Sequence, residues 1–452
     1  MTPEEIVELG LGEGMAVVIG EKASGLNFRL ANNTVTTNGR EESNSAGVVA
    51  LEEGRVGVQA ADISASSQVA EIARGARERA RQSPEAPDAM PLLGVTEAAS
   101  PLANESGPSP EARPEDLGPI LDSVRGVLEQ SRAAGLRCFG FAQATGSSEL
   151  LGTSTGVRLE GRRQHASLAL TLKTADLGRS VWEGAVGRRM ADLDPEGMYR
   201  RLSRRLGWTE RSLELPAGHY EVILEPSATS DMVVRLMWDM HARGADEGRT
   251  VFAGKSGTRV GEAMYAPSIR LESDPLDEEM AVPNFVRCLG SSEYASVFDN
   301  GLAEPPVVWV DGGVQQELIC PRRWAQDHGH PVRPDVDNLA MAGTELSLDQ
   351  MIASTKRALL VTSLWYIRDV DPAALLLTGL TRDGVFLIEN GEVVGSVNNF
   401  RFNESPVGVL QRTVEVGRSE LAFSREVGDE LFVKAPPIRV ENFFMSSVSD
   451  AI

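Results

Sequence analysis

The chain has 452 residues, 42% of them hydrophobic and 24% charged, with a formal net charge of −21. Such a length spans two or three domains of ordinary size and buries its own core without disulfides or structural metals. The negative balance excludes sequence-independent binding to nucleic-acid phosphates, which needs clustered Lys and Arg, and argues equally against anionic membrane surfaces.

The first residues, 1–9, are acidic and amphipathic. They lack the basic and apolar regions of a secretory signal. No stretch approaches the ~18 apolar residues that cross a bilayer, so the expected location is the cytoplasm. Residues 15–19 read as a strand, followed by alternating apolar positions at residues 26–30. Ala31-Asn32-Asn33 is a turn signal, because Asn tolerates the left-handed conformation. Asn38-Gly39 is a second hairpin signal. A third turn at Glu52-Glu53-Gly54 separates residues 48–51 from 56–58. Residues 15–60 are therefore predicted to form a twisted antiparallel sheet.

At residues 64–82 the apolar period becomes helical, with Val69, Ile72, Ala73, Ala76 and Ala80 on one face. Residues 83–119 are rich in Pro, Ala, Glu and Ser and read as an extended connection. A helix is predicted at about residues 115–134, then strands at 137–143 and 148–174 around a turn at Ser154-Thr155-Gly156, then a helix at 192–206. The arginines Arg200, Arg201, Arg204, Arg205 and Arg211 read as the solvated face of that helix.

Pro216-Ala217-Gly218 marks the expected boundary between two domains. A buried-type strand at residues 220–224 ends at Pro226, and a helix covers 228–242. Strands at 307–310, 358–362, 385–388, 393–394 and 407–410 make the remainder β-rich. The predicted fold class is α+β. An N-terminal α/β domain, with a twisted antiparallel sheet and helices, spans residues 1–214 and includes the Pro-rich connection 83–119. A C-terminal β-rich domain spans residues 215–452.

Three segments resemble the TldD/PmbA family, also called modulators of DNA gyrase. Residues 29–39, RLANNTVTTNG, are similar to its N-terminal signature of an Asn turn followed by a Thr-Thr-Asn-Gly-like hairpin. Residues 151–157, with Ser154-Thr155-Gly156, resemble its strand with an N-S-x-G turn. Residues 383–393, with Ile388-Glu389-Asn390-Gly391, resemble its (F/W)-x-I-E-N-G-x-I hairpin. The three occur in order across nearly the whole chain.

In the family's catalytic branch, TldD, an H-E-x-x-x-H helix follows a strand. Its two His bind zinc and its Glu polarises the metal-bound water. A Cys near the C-terminus resembles the third ligand. In this chain the strand and the Glu225-Pro226-Ser227 turn are present, but the helix after them holds only His241. The positions that stand where the motif belongs include Asp231, Val234, Arg235 and Asp239. Asp231 and Arg235, four residues apart, read as a helix-surface ion pair. Residues 424–445 contain no Cys. The resemblance thus implies the TldE/PmbA branch, a subunit without the metal ligands and without a catalytic residue or cofactor of its own. Zinc is expected in a TldD-like catalytic partner, and a peptide is the expected substrate of the pair.

Two alternatives stay open. One is a homodimeric peptide-binding or scaffold protein with no protease role. The other is a diverged metallopeptidase with a relocated metal at His328 and His330, which Asp327, Asp335 and Asp337 flank. The same segment also reads as an exposed Arg- and Pro-rich loop. Gly254-Lys255-Ser256-Gly257 fails the phosphate-loop pattern because Arg249 stands where its first Gly belongs. Cys138, Cys288 and Cys320 are too widely spaced for a zinc ribbon and read as buried thiols. Trp309, Trp324 and Trp365 read as core packing, with interface anchors as the other reading.

Overall fold

In the computed structural model, which describes residues 1–100, 112, 117–255, 257–428 and 431–449, the first hairpin closes at Asn32 and Asn33. Both are left-handed, with φ of 52° and 62°, the geometry that matches the twist of two flanking strands. The Asn33 side chain donates to Leu136 O at 2.7 Å and accepts from Cys138 N at 2.6 Å. The turn is thereby fixed to the strand beside it.

Helix α1 (Pro3–Gly12) precedes strands β1 (Val17–Ala31), β2 (Thr34–Glu52) and β3 (Arg55–Asp62), and α2 (Ser67–Gln82) follows. Next come α3 (Gly118–Ala133), β4 (Arg137–Thr153), β5 (Arg158–Lys173), β6 (Ser180–Gly187) and α4 (Pro195–Trp208). The six strands form one antiparallel sheet in the order β3-β2-β1-β4-β5-β6. The hairpin expected at Asn38-Gly39 does not form. Asn38 lies opposite Phe28 and Gly39 opposite Asn27, because the Asn32-Asn33 turn has already reversed the chain. The gap expected after residue 143 is also absent, since β1 and β5 pair with β4 from both sides.

The second half begins with β7 (Ser212–Leu213), β8 (Gly218–Leu224), α5 (Pro226–Met237) and α6 (Ala242–Asp246). Then come β9 (Ala253–Gly254), β10 (Gly257–Thr258), β11 (Leu271–Ser273), β12 (Val307–Asp311), β13 (Val314–Gln315), α7 (Arg322–His328), β14 (Asn338–Met341) and α8 (Leu348–Ser354). Strands β15 (Arg357–Val361), β16 (Leu364–Asp371), β17 (Leu376–Thr381), β18 (Val385–Glu389), β19 (Glu392–Val397) and β20 (Asn399–Glu404) lead to α9 (Pro406–Gln411). The described chain closes with β21 (Thr413–Val416), β22 (Glu420–Leu421), β23 (Phe432–Ala435) and β24 (Ile438–Ser449).

Two larger sheets result among the described residues. One runs β16-β17-β20-β24-β8-β15-β18-β19-β7, with β21 joined to β24; the other runs β13-β12-β11-β14-β23-β22. The Asn390-Gly391 signal is a true hairpin between β18 and β19, with φ of 52° and 86°. The α+β class is as expected. Residues 407–410 are helical rather than extended, since Pro406 at the first turn presets a helical φ and Val409 and Leu410 turn to the core.

Packing explains the layers. Helices α1 and α2 cover β1–β3 through Ile6, Val7, Ile72, Ala73 and Ala76. Helices α3 and α4 lie between sheets, where Val127, Leu168 and Leu202 share one apolar cluster with Ile223, Leu360 and Phe386. Helix α5 is buried on nearly every side and sits in the cluster that also holds Trp309, Phe402 and Phe443. The described part of the predicted connection is not free chain: Leu93 and Ala99 are buried, and Ala99 N bonds to Gly301 O at 2.8 Å. Residues 101–111 and 113–116 of it lie outside the described residues. No described helix is long and apolar enough to cross a membrane.

The tightest approach to backbone atoms in these layers is at Gly57. A Cβ there would lie 2.0 Å from Ala76 O and 2.3 Å from Ala80 N, both backbone atoms of α2. Gly57→Ala is therefore expected to destabilise the chain by about 1–3 kcal/mol, read as a lower urea midpoint. An unchanged midpoint would mean that α2 moves off the sheet without cost.

Candidate functional site

The site is built where β8 runs into α5. Strand β8 lies between β24, antiparallel, and β15, parallel. Pro226 starts the helix at its first position, where the missing N–H is harmless. Glu225 stands at the N-cap but makes no capping bond. Its carboxylate instead accepts from Arg205 of α4 at 2.6 Å, and Arg205 also lies 3.3 Å from Glu183 of β6. All three side chains are at most 11% exposed. Burial pushes Glu225 up to about 7, with the Arg205 charge opposing and Glu183 adding to the rise. Arg205 is thus not on a solvated face, as its cluster of arginines suggested. The signal lay in its neighbours: Arg205 shares the apolar stripe of Leu202 and Leu206.

Asp231, on the second turn of α5, is fully buried. Its Oδ1 accepts from Ser424 Oγ at 2.7 Å and from Glu426 N at 3.2 Å; its Oδ2 has no partner. Burial pushes its pKa up to about 7 against those two hydrogen bonds. Ser424 and Glu426 belong to the segment between β22 and β23. The same segment accepts from Ser227 Oγ at Phe423 O and receives Ile367 N at Glu426 Oε1. Between them, Arg425 lies over the rings of Trp182 and Trp365 at 4.2 and 4.7 Å and donates to Ser363 Oγ at 2.9 Å. Helix α5 and the C-terminal segment, which the family resemblance expects to share a metal, therefore do meet. Sequence reading registered only the missing ligands there and did not find Ser424, Arg425 or Glu426.

The other predicted positions scatter. Arg235 does not pair with Asp231; it reaches Asp369 of β16 at 2.5 Å and covers Trp238. The expected pair fails because Asp231 faces the core and Arg235 leaves it. Val234 is buried and apolar. Asp239 follows the helix, and burial together with the Asp369 charge pushes it up to about 6. His241 lies beyond α5 and caps α6, its Nδ1 accepting from Gly244 N at 3.1 Å. Burial holds that imidazole below its usual pKa.

His328 stacks on Trp324 at 3.8 Å, while His330 Nε2 lies 2.7 Å from Asp246 Oδ2, which also accepts from Trp324 Nε1. Asp337 faces Arg287 instead. The segment is half helix, α7, rather than wholly loop, because Ala325 is buried and Gly329 ends the turn at φ 76°. Among the described residues, no three His, Cys, Asp or Glu side chains gather as a metal set. The donors at α5 do not fit zinc either: one carboxylate already holds two hydrogen bonds, the next group is a hydroxyl, and a guanidinium lies alongside. Burial pushes the thiols of Cys138, Cys288 and Cys320 up to about 12, so none is poised as a nucleophile. Trp309 is core, with Nε1 donating to Ser273 Oγ, while Trp324 and Trp365 are half-buried.

Two substitutions test this construction. Arg205→Met leaves Glu225 buried without its cation, while Glu183 keeps Arg201, and should cost about 3–5 kcal/mol, with Glu225→Gln restoring part of it in thermal melts. Asp231→Asn probes the raised carboxylate. The folded chain keeps this proton to about pH 7 and the unfolded chain loses it near 3.8, so Asp231 costs stability as pH rises through that window and no more above it. A tenfold change in proton affinity is about 1.4 kcal/mol. The variant should gain on the order of 4 kcal/mol at pH 8 and nothing at pH 3, measured by denaturation at both.

A family model described as the PmbA/TldA metallopeptidase C-terminal domain matches residues 217–447, the span that contains α5 and the segment it meets. No curated protein matches the chain. Solved structures do. TldE from Thermococcus kodakarensis superposes with a TM-score of 0.80 at 17% identity, covering 98% of this chain and 99% of that one. Two proteins described as candidate modulators of DNA gyrase are similar as well. The one from Thermotoga maritima has a TM-score of 0.76 at 16% identity, over 98% of each chain. The one from Bacteroides thetaiotaomicron has 0.77 at 15% identity, over 99% of this chain and 98% of that one. At these identities the structures establish the fold, and the family model, which spans just over half of the 452 residues, establishes kinship: the chain belongs to the TldD/PmbA family of metallopeptidase-related proteins.

Proposed function

We propose that this chain is a noncatalytic, TldE-like subunit that completes a peptide-processing metalloprotease with a TldD-like partner. The observation that carries the reading is the contact between Asp231 and Ser424. Where helix and C-terminal segment meet, a carboxylate and a hydroxyl are bonded to each other, and neither imidazole nor thiolate is at hand for zinc. The scaffold around them is packed: β8 pairs on both sides, α5 is buried, and Phe423, Ser424 and Glu426 of the loop over it bond to Ser227 and Asp231. In this reading the partner supplies the metal, the activated water and the general base.

The chain's own part is to wall the chamber and hold the peptide. Strand addition is the mode we assign to it. Beyond Ser45, where pairing with β3 ends, residues 34–44 of β2 are bonded to β1 on one side only among the described strands. That edge is exposed and polar, with Arg40, Glu41 and Glu42 in its length. Charges on an edge also blunt unwanted aggregation.

The test is reconstitution. The purified chain should show no peptidase activity with or without added zinc. Mixing it with a homologue that carries the H-E-x-x-x-H helix should give a stable complex that cleaves an unfolded peptide. The mixture should exceed the homologue alone by at least tenfold. Cleavage by this chain alone, abolished by a chelator, would overturn the reading.

A further inference from the structure

The open stretch of β2 borders a cavity on one face of the first sheet. Successive side chains of a strand point to opposite faces. Glu41 and Ser43 of β2 therefore share a face with Gly25 and Ala23 of β1, and with Thr145 and Ser147 of β4, which follow them in register. Over these strands lies a cavity of about 240 Å³, lined by Glu21, Glu41, Ser43, Thr145, Ser147 and Arg163 around a floor of Ala23 and Gly25. The small floor residues open it. A Cβ at Gly25 would stand 3.9 Å from Glu41 Cβ and 3.9 Å from Thr145 Cγ2, ordinary van der Waals contact.

Charge is divided unequally between the two faces of β2. On the opposite face Arg40 and Glu42 pair with each other. Glu41, between them in sequence, is exposed and forms no ion pair with a described residue. Glu21 accepts a long bond of 3.4 Å from Ser45 Oγ. Arg163, at the rim, stands 3.5 Å from Asp337 Oδ2. The cavity thus presents the carboxylates of Glu21 and Glu41 beside the hydroxyls of Ser43, Thr145 and Ser147, all of them acceptors for a cationic donor.

A strand added to the open edge of β2 would lie about 4.8 Å beyond it. Its residue opposite Glu41 would point to the cavity face, with the two Cβ atoms about 5 Å apart. A side chain with a long stem crosses from there into the cavity, and a cationic head at its end answers both glutamates. Size agrees. Cavities that take drug-sized molecules measure about 300–1,000 Å³, and this one suits a single side chain. We propose that the open edge of β2 selects peptides by a lysine or arginine side chain seated in this cavity. The inference rests on strand addition at β2 and names the class of peptide it takes.

The experiment is fluorescence anisotropy at pH 8 and low salt. The full chain is titrated into amidated octapeptides of alternating threonine and valine, labelled with fluorescein at the N-terminus. Each carries one central lysine, arginine, norleucine or glutamate. The lysine and arginine peptides should bind about fivefold or more tightly than the norleucine peptide, the difference that one or two partly exposed ion pairs make. The glutamate peptide should bind most weakly. Glu41→Gln removes a charge and Gly25→Val fills the floor; each should cut the preference to about twofold or less. Glu42→Gln, on the other face, should leave it unchanged. Equal binding of the lysine and norleucine peptides would overturn the inference and leave strand addition standing. Absence of saturable binding by every peptide would overturn both. A preference that Glu41→Gln does not reduce, or that Glu42→Gln reduces as much, would also overturn it. Reconstitution with a homologue that carries the H-E-x-x-x-H helix is read separately, so failure of the subunit reading is told apart from failure of this one.

Discussion

Helix α5 is enclosed on almost all sides, and that enclosure governs the rest of the molecule. Water reaches little of it, so each polar group it carries must be answered from within or carry the cost of desolvation. Asp231 is answered by Ser424 and the Glu426 amide. Glu225, where the helix begins, is answered by Arg205 from the preceding half of the chain. These two contacts fix the helix to the C-terminal segment on one side and to α4 and β6 on the other. The remaining oxygens, Asp231 Oδ2 and Glu225 Oε1, stay without a hydrogen bond. Burial is what raises the proton affinity of both carboxylates.

That arrangement connects the fold to the functional reading. In a catalytic relative, the two segments that meet at Asp231 would be expected to converge on zinc. Here the same convergence is preserved and its chemistry is different. A buried carboxylate held by a hydroxyl, beside a guanidinium clamped between two tryptophans, locks the loop down. Internal hydrogen bonds hold the scaffold in shape there. Under the proposed function, such a subunit contributes form and surface to a pair whose reaction is performed by its partner.

Much of the architecture was legible in the sequence because local chemistry dictated it. Asn32-Asn33, Glu53-Gly54 and Asn390-Gly391 are all left-handed turns at predicted places. The helical stripes of α2, α3 and α4 were equally plain. What failed were segments where a longer-range partner decided the outcome. Asn38-Gly39 has the residues of a turn but lies along a strand already paired to β1. Residues 407–410 have β-forming side chains, and a preceding proline together with core packing wound them into a helix. The lack of a His pair after residue 226 and of Cys in residues 424–445 could be read from the sequence, whereas the contacts made there could not. Asp231 and Ser424 are 193 residues apart, and nothing in their local patterns announces the contact. Arg205 came closest to being visible, as a charge set in an apolar stripe.

The account is tested most directly by diffraction from crystals of the isolated chain grown with excess zinc, collected on both sides of the zinc absorption edge. It predicts Ser424 Oγ within hydrogen-bonding distance of Asp231 and no anomalous density between α5 and the C-terminal segment. A strong anomalous peak there, with Asp231 turned away from Ser424 to ligate it, would contradict the claim that this site has given up its metal.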